Sequence, residues 1–429
     1  MSDLTRREFS KKTGAAGVAV VGSFGLFAPA IAQGNARVVI VGGGAGGATV
    51  ARRLKVAAPN LEVTLIEVSP KYASPFLSEH YIGGFRSLES LMHSYEGLGA
   101  LGITVVNDWV SGVHTARKQV TLKGGNTLSY DRLVLAPGVD VRYETIERYT
   151  PEVAQKIPHA WKGGAQNAVL RQQLLDMPDG GTVVMSVPPG ALRGQTAAYA
   201  RASMVAHYLK FHKPQSRLIL LDGNRDFPQR SAFEEGWKTH YADVLEHRLS
   251  TSPNEFKVVR IDPNTREVET AGGAKFTGAV VSLVPEQRAG VIAHAAGCAD
   301  GDWCPVAPAT FESTRVPGVH VLGDAADAGM MPKTAFAANS QGAAVANHIA
   351  ADLAGKKRFP ARFRSTKWSL IATNNAIKMG ASYVVSKDGV VPVSSFVSEP
   401  KEPAAIRAKN FKESLAWYEA MTKDMFGTA

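Results

Sequence analysis

The sequence predicts an α/β fold with two Rossmann-like, dinucleotide-binding-type domains and a C-terminal α+β interface domain. A strand, a glycine-rich turn, a helix and a second strand run in order from Arg37 to Glu67, and the same alternation returns without its glycines between Gly181 and Asp222. Forty-one glycines are spread through alternating apolar runs and amphipathic stretches, as tight strand-to-helix turns require. At 429 residues and 45% apolar content the chain can bury more than one core, which excludes a small binding module. The expected organisation is a leader over 1–32, a discontinuous first domain over 33–148 and 285–355, a second domain over 149–284, and the interface domain over 356–429.

Thr5-Arg6-Arg7-Glu8-Phe9-Ser10-Lys11 is a twin-arginine signature, followed by a weakly hydrophobic stretch from Gly14 to Phe27 and a small-residue site at Ala30-Ile31-Ala32. That stretch is too short to span a bilayer, so export to a bacterial periplasm by the twin-arginine route is expected rather than anchoring. The leader holds four Lys/Arg and two Asp/Glu, and its removal lowers the formal charge from +10 to about +8. A mildly basic surface suits an acidic partner protein or plain solubility equally. No basic run with interleaved aromatics points to nucleic acid, and no membrane span follows the leader. Cys298 and Cys304 are the only cysteines, which excludes a disulfide-rich scaffold. Without Cys-x-x-Cys-His, any c-type haem sits on another polypeptide, and no metal site is expected.

Arg37-Val38-Val39-Ile40-Val41 reads as a strand, Gly42-Gly43-Gly44-Ala45-Gly46-Gly47 as a turn, the following residues as a helix to about Ala57, and Val63-Thr64-Leu65-Ile66-Glu67 as the second strand. Gly42, Gly44 and Gly47 fit G-x-G-x-x-G between a strand and a helix. The first glycine permits the turn, the second lets backbone approach a pyrophosphate, and the third lets helix and strand pack closely. The anion then sits at the helix amino end beside Ala45, and Glu67 is placed to accept hydrogen bonds from an adenosine ribose.

NAD and FAD share that fingerprint, and two later strands separate them. Tyr130-Asp131-Arg132-Leu133-Val134-Leu135-Ala136-Pro137-Gly138 ends in a small-residue turn, and Val319-His320-Val321-Leu322-Gly323-Asp324-Ala325 ends in Gly-Asp. The first resembles the connecting segment of two-dinucleotide-domain flavoproteins. In that superfamily the second places its aspartate on the ribityl chain of FAD, and Gly323 allows the close approach. FAD is the expected cofactor, with Gly42, Gly44, Ala45, Gly47, Glu67, Ala136, Gly138, Gly323 and Asp324 as its site.

The second unit reads as a strand over Gly181–Val187, a helix over Ala197–His212 and a strand over Arg217–Asp222. Its turn, Pro188-Pro189-Gly190-Ala191-Leu192-Arg193-Gly194, has no glycine fingerprint, and proline removes the N–H groups that cradle a pyrophosphate. This domain is expected to keep the fold without binding NAD(P)H, which shifts the redox partner from a nicotinamide to a protein. An alanine-rich helix follows Gln341-Gly342 to about Leu353. The C-terminal region carries Trp368, Tyr383, Phe396, Trp417, Tyr418 and Phe426, expected as core or dimer interface.

Together these features resemble the flavoprotein subunit of flavocytochrome c sulfide dehydrogenase, in the glutathione-reductase-like, pyridine nucleotide-disulfide oxidoreductase-like superfamily. Besides the motifs above, the likeness rests on Ile82-Gly83-Gly84, Pro158-His159-Ala160-Trp161-Lys162, Trp303-Cys304-Pro305-Val306, Phe311-Glu312-Ser313, Met331-Pro332-Lys333 and Ala338-Asn339-Ser340-Gln341-Gly342. It implies a periplasmic heterodimer in which the flavoprotein oxidises sulfide and passes electrons singly to haem on a c-type cytochrome subunit. It also implies that the helix starting near Thr334, next to Lys333, aims its amino end at the flavin's pyrimidine ring.

Three cysteines of the family are missing. The one that attaches FAD corresponds to Pro75 within Tyr72-Ala73-Ser74-Pro75-Phe76-Leu77-Ser78, so FAD is expected to be noncovalent. The pair forming the redox disulfide corresponds to Gly194 and Ala326, so sulfide cannot attack a disulfide here. Cys304 and Lys333 are the remaining catalytic candidates, with Glu79 and His80 as acid/base groups and Trp417 near the ring system. Three functions stay open: a sulfide-type dehydrogenase with direct attack on flavin, a cytochrome-coupled dehydrogenase for an unrelated reductant, and a non-catalytic FAD-binding electron-transfer partner.

Overall fold

The computed structural model describes residues 35–387 and 389–427, so the leader over 1–32 lies outside the described residues. The elements that position the site are, in chain order, β1 (Arg37–Val41), α1 (Ala45–Ala57), β2 (Glu62–Ile66), α2 (Ser78–Ile82), β3 (Thr104–Val106) and β4 (Arg132–Leu135). Then come β5 (Thr182–Val187), α3 (Ala197–His212), β6 (Arg217–Asp222), β7 (Leu245–Leu249) and β8 (Val280–Ser282). The remainder gives β9 (Cys304–Pro305), β10 (Val319–Val321), β11 (Ala326–Asp327), α4 (Ala335–Leu353), β12 (Arg362–Ala372), β13 (Asn375–Ser386), β14 (Gly389–Val397) and α5 (Ala404–Phe426).

The first sheet has the order β10-β4-β1-β2-β3, and all its pairings are parallel. Its central strands are apolar throughout because they are covered on both faces: Val38, Val39, Ile40, Leu133, Val134 and Leu135 are all buried, in one core with Val50 and Leu54 of α1 and with Val110, Val120 and Leu122 of a separate antiparallel sheet. The right-handed α1 crossover brings the carboxyl ends of β1, β4 and β10 side by side, which is where parallel α/β sheets bind ligands. Strand β2 ends at Ile66, one residue before the expected end, and Glu67 N still donates to the Val106 carbonyl oxygen of β3 at 3.0 Å.

Helix α4 starts at Ala335 and runs through Gln341-Gly342 rather than beginning after them. Gly342 is a packing position, not a stop: a β-carbon there would lie 2.7 Å from the Gly46 carbonyl oxygen of α1. Asn339 Nδ2 donates to Thr49 Oγ1 at 2.7 Å and ties the two helices at that approach.

The second sheet, β7-β6-β5-β8, is also parallel, with α3 buried along most of its length. In the C-terminal part, β12, β13 and β14 form an antiparallel sheet and α5 packs on β13. Tyr383, Tyr418 and Phe426 are buried there, while Phe396 of the edge strand β14 is exposed. From Asn35 onward the chain is one compact unit.

Candidate functional site

A cavity of about 510 Å³ opens at the carboxyl ends of β1, β4 and β10. One end is built by the glycine turn. Gly42 has φ +99°, and a β-carbon there would lie 2.4 Å from the Ala136 carbonyl oxygen, so only glycine lets the turn pass under the β4 loop. At Gly47 a β-carbon would meet the Gly42 carbonyl oxygen at 1.9 Å. At Gly44 it would face the cavity with nothing nearer than Tyr72 Cε2 at 3.6 Å. Gly44 caps α1 with no side-chain hydrogen bond and no acid in the first turn, leaving the helix's amino end to an anion. Glu67 holds the turn in shape: Oε2 accepts from Gly43 N at 2.7 Å and Oε1 from Ser69 N at 3.1 Å.

At the other end Gly323 has φ +73°, and its N–H donates to Gln341 Oε1 at 2.8 Å, which turns Asp324 toward the cavity. Asp324 Oδ1 is buried with no hydrogen-bond partner among the described residues. Burial pushes this carboxyl up, opposed by Arg193 and Lys333. An orphaned buried acceptor beside an open cavity suits a hydroxyl-bearing ligand. Thr334 caps α4, its hydroxyl accepting from Ala337 N at 3.1 Å, and Thr334, Ala335 and Phe336 line the cavity. Of the nine expected cofactor residues, all but Gly47 line this one cavity, and Gly47 acts behind it through the turn.

Three family profiles match in succession: pyridine nucleotide-disulphide oxidoreductase over residues 36–168, the central part of the sulfide dehydrogenase (flavocytochrome c) flavoprotein chain over 167–285, and the flavin-binding part of flavocytochrome c sulphide dehydrogenase over 360–426. The chain belongs to the flavocytochrome c sulfide dehydrogenase flavoprotein family. It is similar to sulfide-quinone reductase of Aquifex aeolicus, with 30% identity over 102 residues, 24% of either chain. It is also similar to putidaredoxin reductase CamA of Pseudomonas putida, with 36% identity over 109 residues, 24% of this chain and 26% of that one. These matches span about a quarter of each curated relative. The solved sulfide:quinone oxidoreductase of Aquifex aeolicus shares the fold at TM-score 0.67 and 17% identity over 92% of both chains. FAD is the cofactor, and the unpartnered Asp324 oxygen and the open face of Gly44 fit it.

Against the family's chemistry, the cavity wall carries Pro75 and Gly194, and neither offers a nucleophile. Gly194 and Ala326 both lie against Lys333: Gly194 N donates to the Lys333 carbonyl oxygen at 2.6 Å, and Lys333 Nζ donates to the Ala326 carbonyl oxygen at 2.7 Å. Lys333 Nζ also donates to the Asp324 carbonyl oxygen at 2.9 Å and sits 3.8 Å from the Trp303 ring centroid. Its ammonium is therefore committed to the shape of the Asp324 loop. Cys304 is outside the cavity lining, buried on β9, which pairs with β11, and burial pushes its thiol up to about 12. Cys298 is buried too, and both are free thiols. A thiol so hard to ionise is a poor nucleophile, so the structure places Cys304 as a packing residue.

Glu79 lines the cavity, with its carboxyl pushed up by burial. His80 does not, and burial holds its imidazole down to about 3, so it is neutral. Trp417 lines the cavity and stacks on Phe336 at 6.0 Å and 4°. The site also contains groups absent from the sequence reading, Arg201 and Lys367, with Tyr72 and Arg193 recognised only as members of a segment and a turn. Lys367 left one trace in the pattern. It shares the inward parity of β12 with Phe363, Ser365, Ser369 and Ile371, all buried.

Proposed function

We propose that this protein is a periplasmic FAD-dependent oxidoreductase that takes electrons from a small reductant, sulfide or another sulfur compound, and passes them singly to a c-type cytochrome on a separate chain. The observation that carries the reading is one cavity with two chemical ends, an open glycine turn at one and the unpartnered Asp324 oxygen with a group of cations at the other. Bound flavin supplies an acceptor that takes an electron pair and can release it one electron at a time.

The chain's own residues divide the remaining work. The amino end of α1 and the Gly42–Gly44 backbone hold the diphosphate, and Glu67 keeps that backbone in place while facing the ribose. Asp324 accepts from a hydroxyl, and the amino end of α4, capped by Thr334 and free of acids, favours negative charge at the ring system. Pro75 forms no bond to the cofactor, so FAD is held noncovalently.

A protein acceptor is supported by the second domain. Where a nicotinamide cofactor would lie, at the carboxyl ends of β5 and β6, Asn224 Nδ2 donates to the Pro188 carbonyl oxygen at 3.1 Å and Tyr199 stacks on Phe227 at 3.7 Å. Asp222 is fully buried, accepting from Tyr199 Oη at 2.9 Å. The cavity between Val187, Pro188 and Lys257 measures about 10 Å³, enough for one water.

The missing thiols at positions 194 and 326 favour a second reading, a cytochrome-coupled dehydrogenase for an unrelated reductant; a non-catalytic electron carrier is the third. Anaerobic mixing with millimolar sulfide separates them. Bleaching of the flavin band followed by reduction of an added c-type cytochrome supports the first. Bleaching by another member of a reductant panel supports the second. If only a reduced partner protein bleaches the band, the chain has no substrate chemistry of its own.

A further inference from the structure

Lys367 projects from β12 into the end of the cavity bounded by α2 and the start of α3, between the buried Ser365 and Ser369. Its Nζ stands 3.2 Å from where a β-carbon on Gly194 would be, so the ammonium occupies the space in front of that glycine. It has neither a hydrogen bond nor an ion pair among the described residues. The nearby arginines are held by backbone: Arg193 Nη2 donates to the Trp161 carbonyl oxygen, and Arg201 donates to the carbonyl oxygens of His159 at 2.9 Å and Ala160 at 2.5 Å, with its buried Nε left unpartnered among the described residues.

The charge here is unbalanced. On the cavity wall at this end Lys367, Arg193, Arg201 and Lys333 face the carboxylates Glu79 and Asp324, with Asp327 outside the lining also acting on Lys333, and among the described residues Glu79 makes no ion pair within 4.0 Å with any of them. The amino end of α3 adds to the positive field, with no acid in its first turn and Ala197 on the cavity wall. The Lys367 ammonium is half-buried and opens onto the cavity with its donors free of any protein partner among the described residues, so water or an anion in the cavity is left to satisfy it.

We propose that Lys367 and the amino end of α3 form the substrate subsite, and that its ligand is a small monoanion, a sulfur anion or a carboxylate. This rests on the flavin-dependent reading above and adds to it the residue that meets the reductant. The charged groups facing Lys367 are Glu79 from α2 and Arg193 ahead of α3, with Arg201 of α3 beyond them. Burial outweighs the pull of Glu79 and brings the Lys367 ammonium down to about 8, with Arg193 helping to lower it. Anion binding is therefore full below that pH and is lost as pH rises through it.

The test is calorimetric titration of the FAD-loaded chain with sodium thiocyanate, and separately with sodium acetate, at constant ionic strength. The expected result is one saturable site that K367M weakens about tenfold or more and K367R retains. Preference for thiocyanate over acetate assigns the site to sulfur anions, and the reverse to carboxylates. From about pH 6 to about pH 10 the wild-type affinity falls through the Lys367 titration while that of K367R stays level. No saturable heat from FAD-loaded protein, K367M binding as tightly as wild type, or a wild-type pH profile in K367R overturns the proposal. FAD content is read by absorbance before each titration, so failure to bind flavin refutes the preceding reading instead.

Discussion

Replacing Gly44 and Gly47 separately divides ligand contact from protein packing within one turn. At Gly44 an added methyl meets only Tyr72 Cε2, at an ordinary 3.6 Å, and the backbone φ of −75° is one any residue adopts. Gly44→Ala should cost the FAD-free protein no more than about 1 kcal/mol, the difference between a glycine and an alanine helix cap. The methyl does face the cavity, and a diphosphate pushed off the backbone loses one charge-assisted hydrogen bond of about 1.5–3 kcal/mol, so FAD affinity should fall roughly 10- to 100-fold. At Gly47 the new carbon would be 1.9 Å from the Gly42 carbonyl oxygen. Carbon and oxygen seldom approach closer than about 3.3 Å, so α1 must part from the turn by more than an ångström, at a cost of about 1–3 kcal/mol or more.

Urea unfolding of each FAD-free variant and FAD titration by fluorescence quenching measure the two effects. Gly44→Ala should lose affinity alone, and Gly47→Ala both affinity and stability. If Gly44→Ala binds FAD as tightly as wild type, or unfolds as early as Gly47→Ala, the assignment of roles in the turn is wrong.

Acid precipitation of the holoprotein should leave the yellow colour in the supernatant, because Pro75 cannot link FAD; a yellow pellet contradicts this. Asp324→Ala should weaken FAD binding at least tenfold, since it removes a buried acceptor with no other partner, and unchanged affinity would detach Asp324 from the cofactor. Both cysteines should resist maleimide in native protein and react in denaturant, and Cys304→Ser should keep the rate of flavin reduction. His320 is buried, and burial holds its imidazole down to about 4 against an ordinary 6.5, with the Thr310 carbonyl opposing. Its neutral form therefore supports stability above pH 6.5, and roughly 3 kcal/mol is lost as pH falls toward 4. His320→Asn should flatten that part of the stability profile, and an unaltered slope would place the acid sensitivity elsewhere.

The cofactor end was legible because local pattern encodes it. Gly42, Gly44 and Gly47 answer a backbone requirement within six residues, and the apolar runs Val38–Val41 and Leu133–Leu135 announce strands buried on both faces. The same local reading misjudged Gly342, taken as the point after which the helix begins. Its reason is a contact with Gly46, nearly three hundred residues earlier, which no local window contains. Cys304 shares a segment with family motifs, and its burial on β9 beside β11, which pushes its thiol up, makes it a packing residue.

The substrate end is tertiary throughout. Glu79 comes from α2, Arg193 from the loop before α3, Lys333 from the approach to α4 and Lys367 from β12, and they meet only because three layers close over one cavity. A lysine at an inward-facing strand position was the single signal the sequence offered, because a charge drawn partly out of water favours a partner. Glycine and alanine at positions 194 and 326 leave the strands, turns and helices that hold the cofactor in place: Gly194 contributes its backbone N–H to the Lys333 carbonyl oxygen, and Ala326 keeps its small side chain in the core beside Cys304 while its carbonyl accepts from Lys333. The fold can therefore keep its flavin while the group that meets the reductant changes, and the ammonium in front of Gly194 is the group that now stands there.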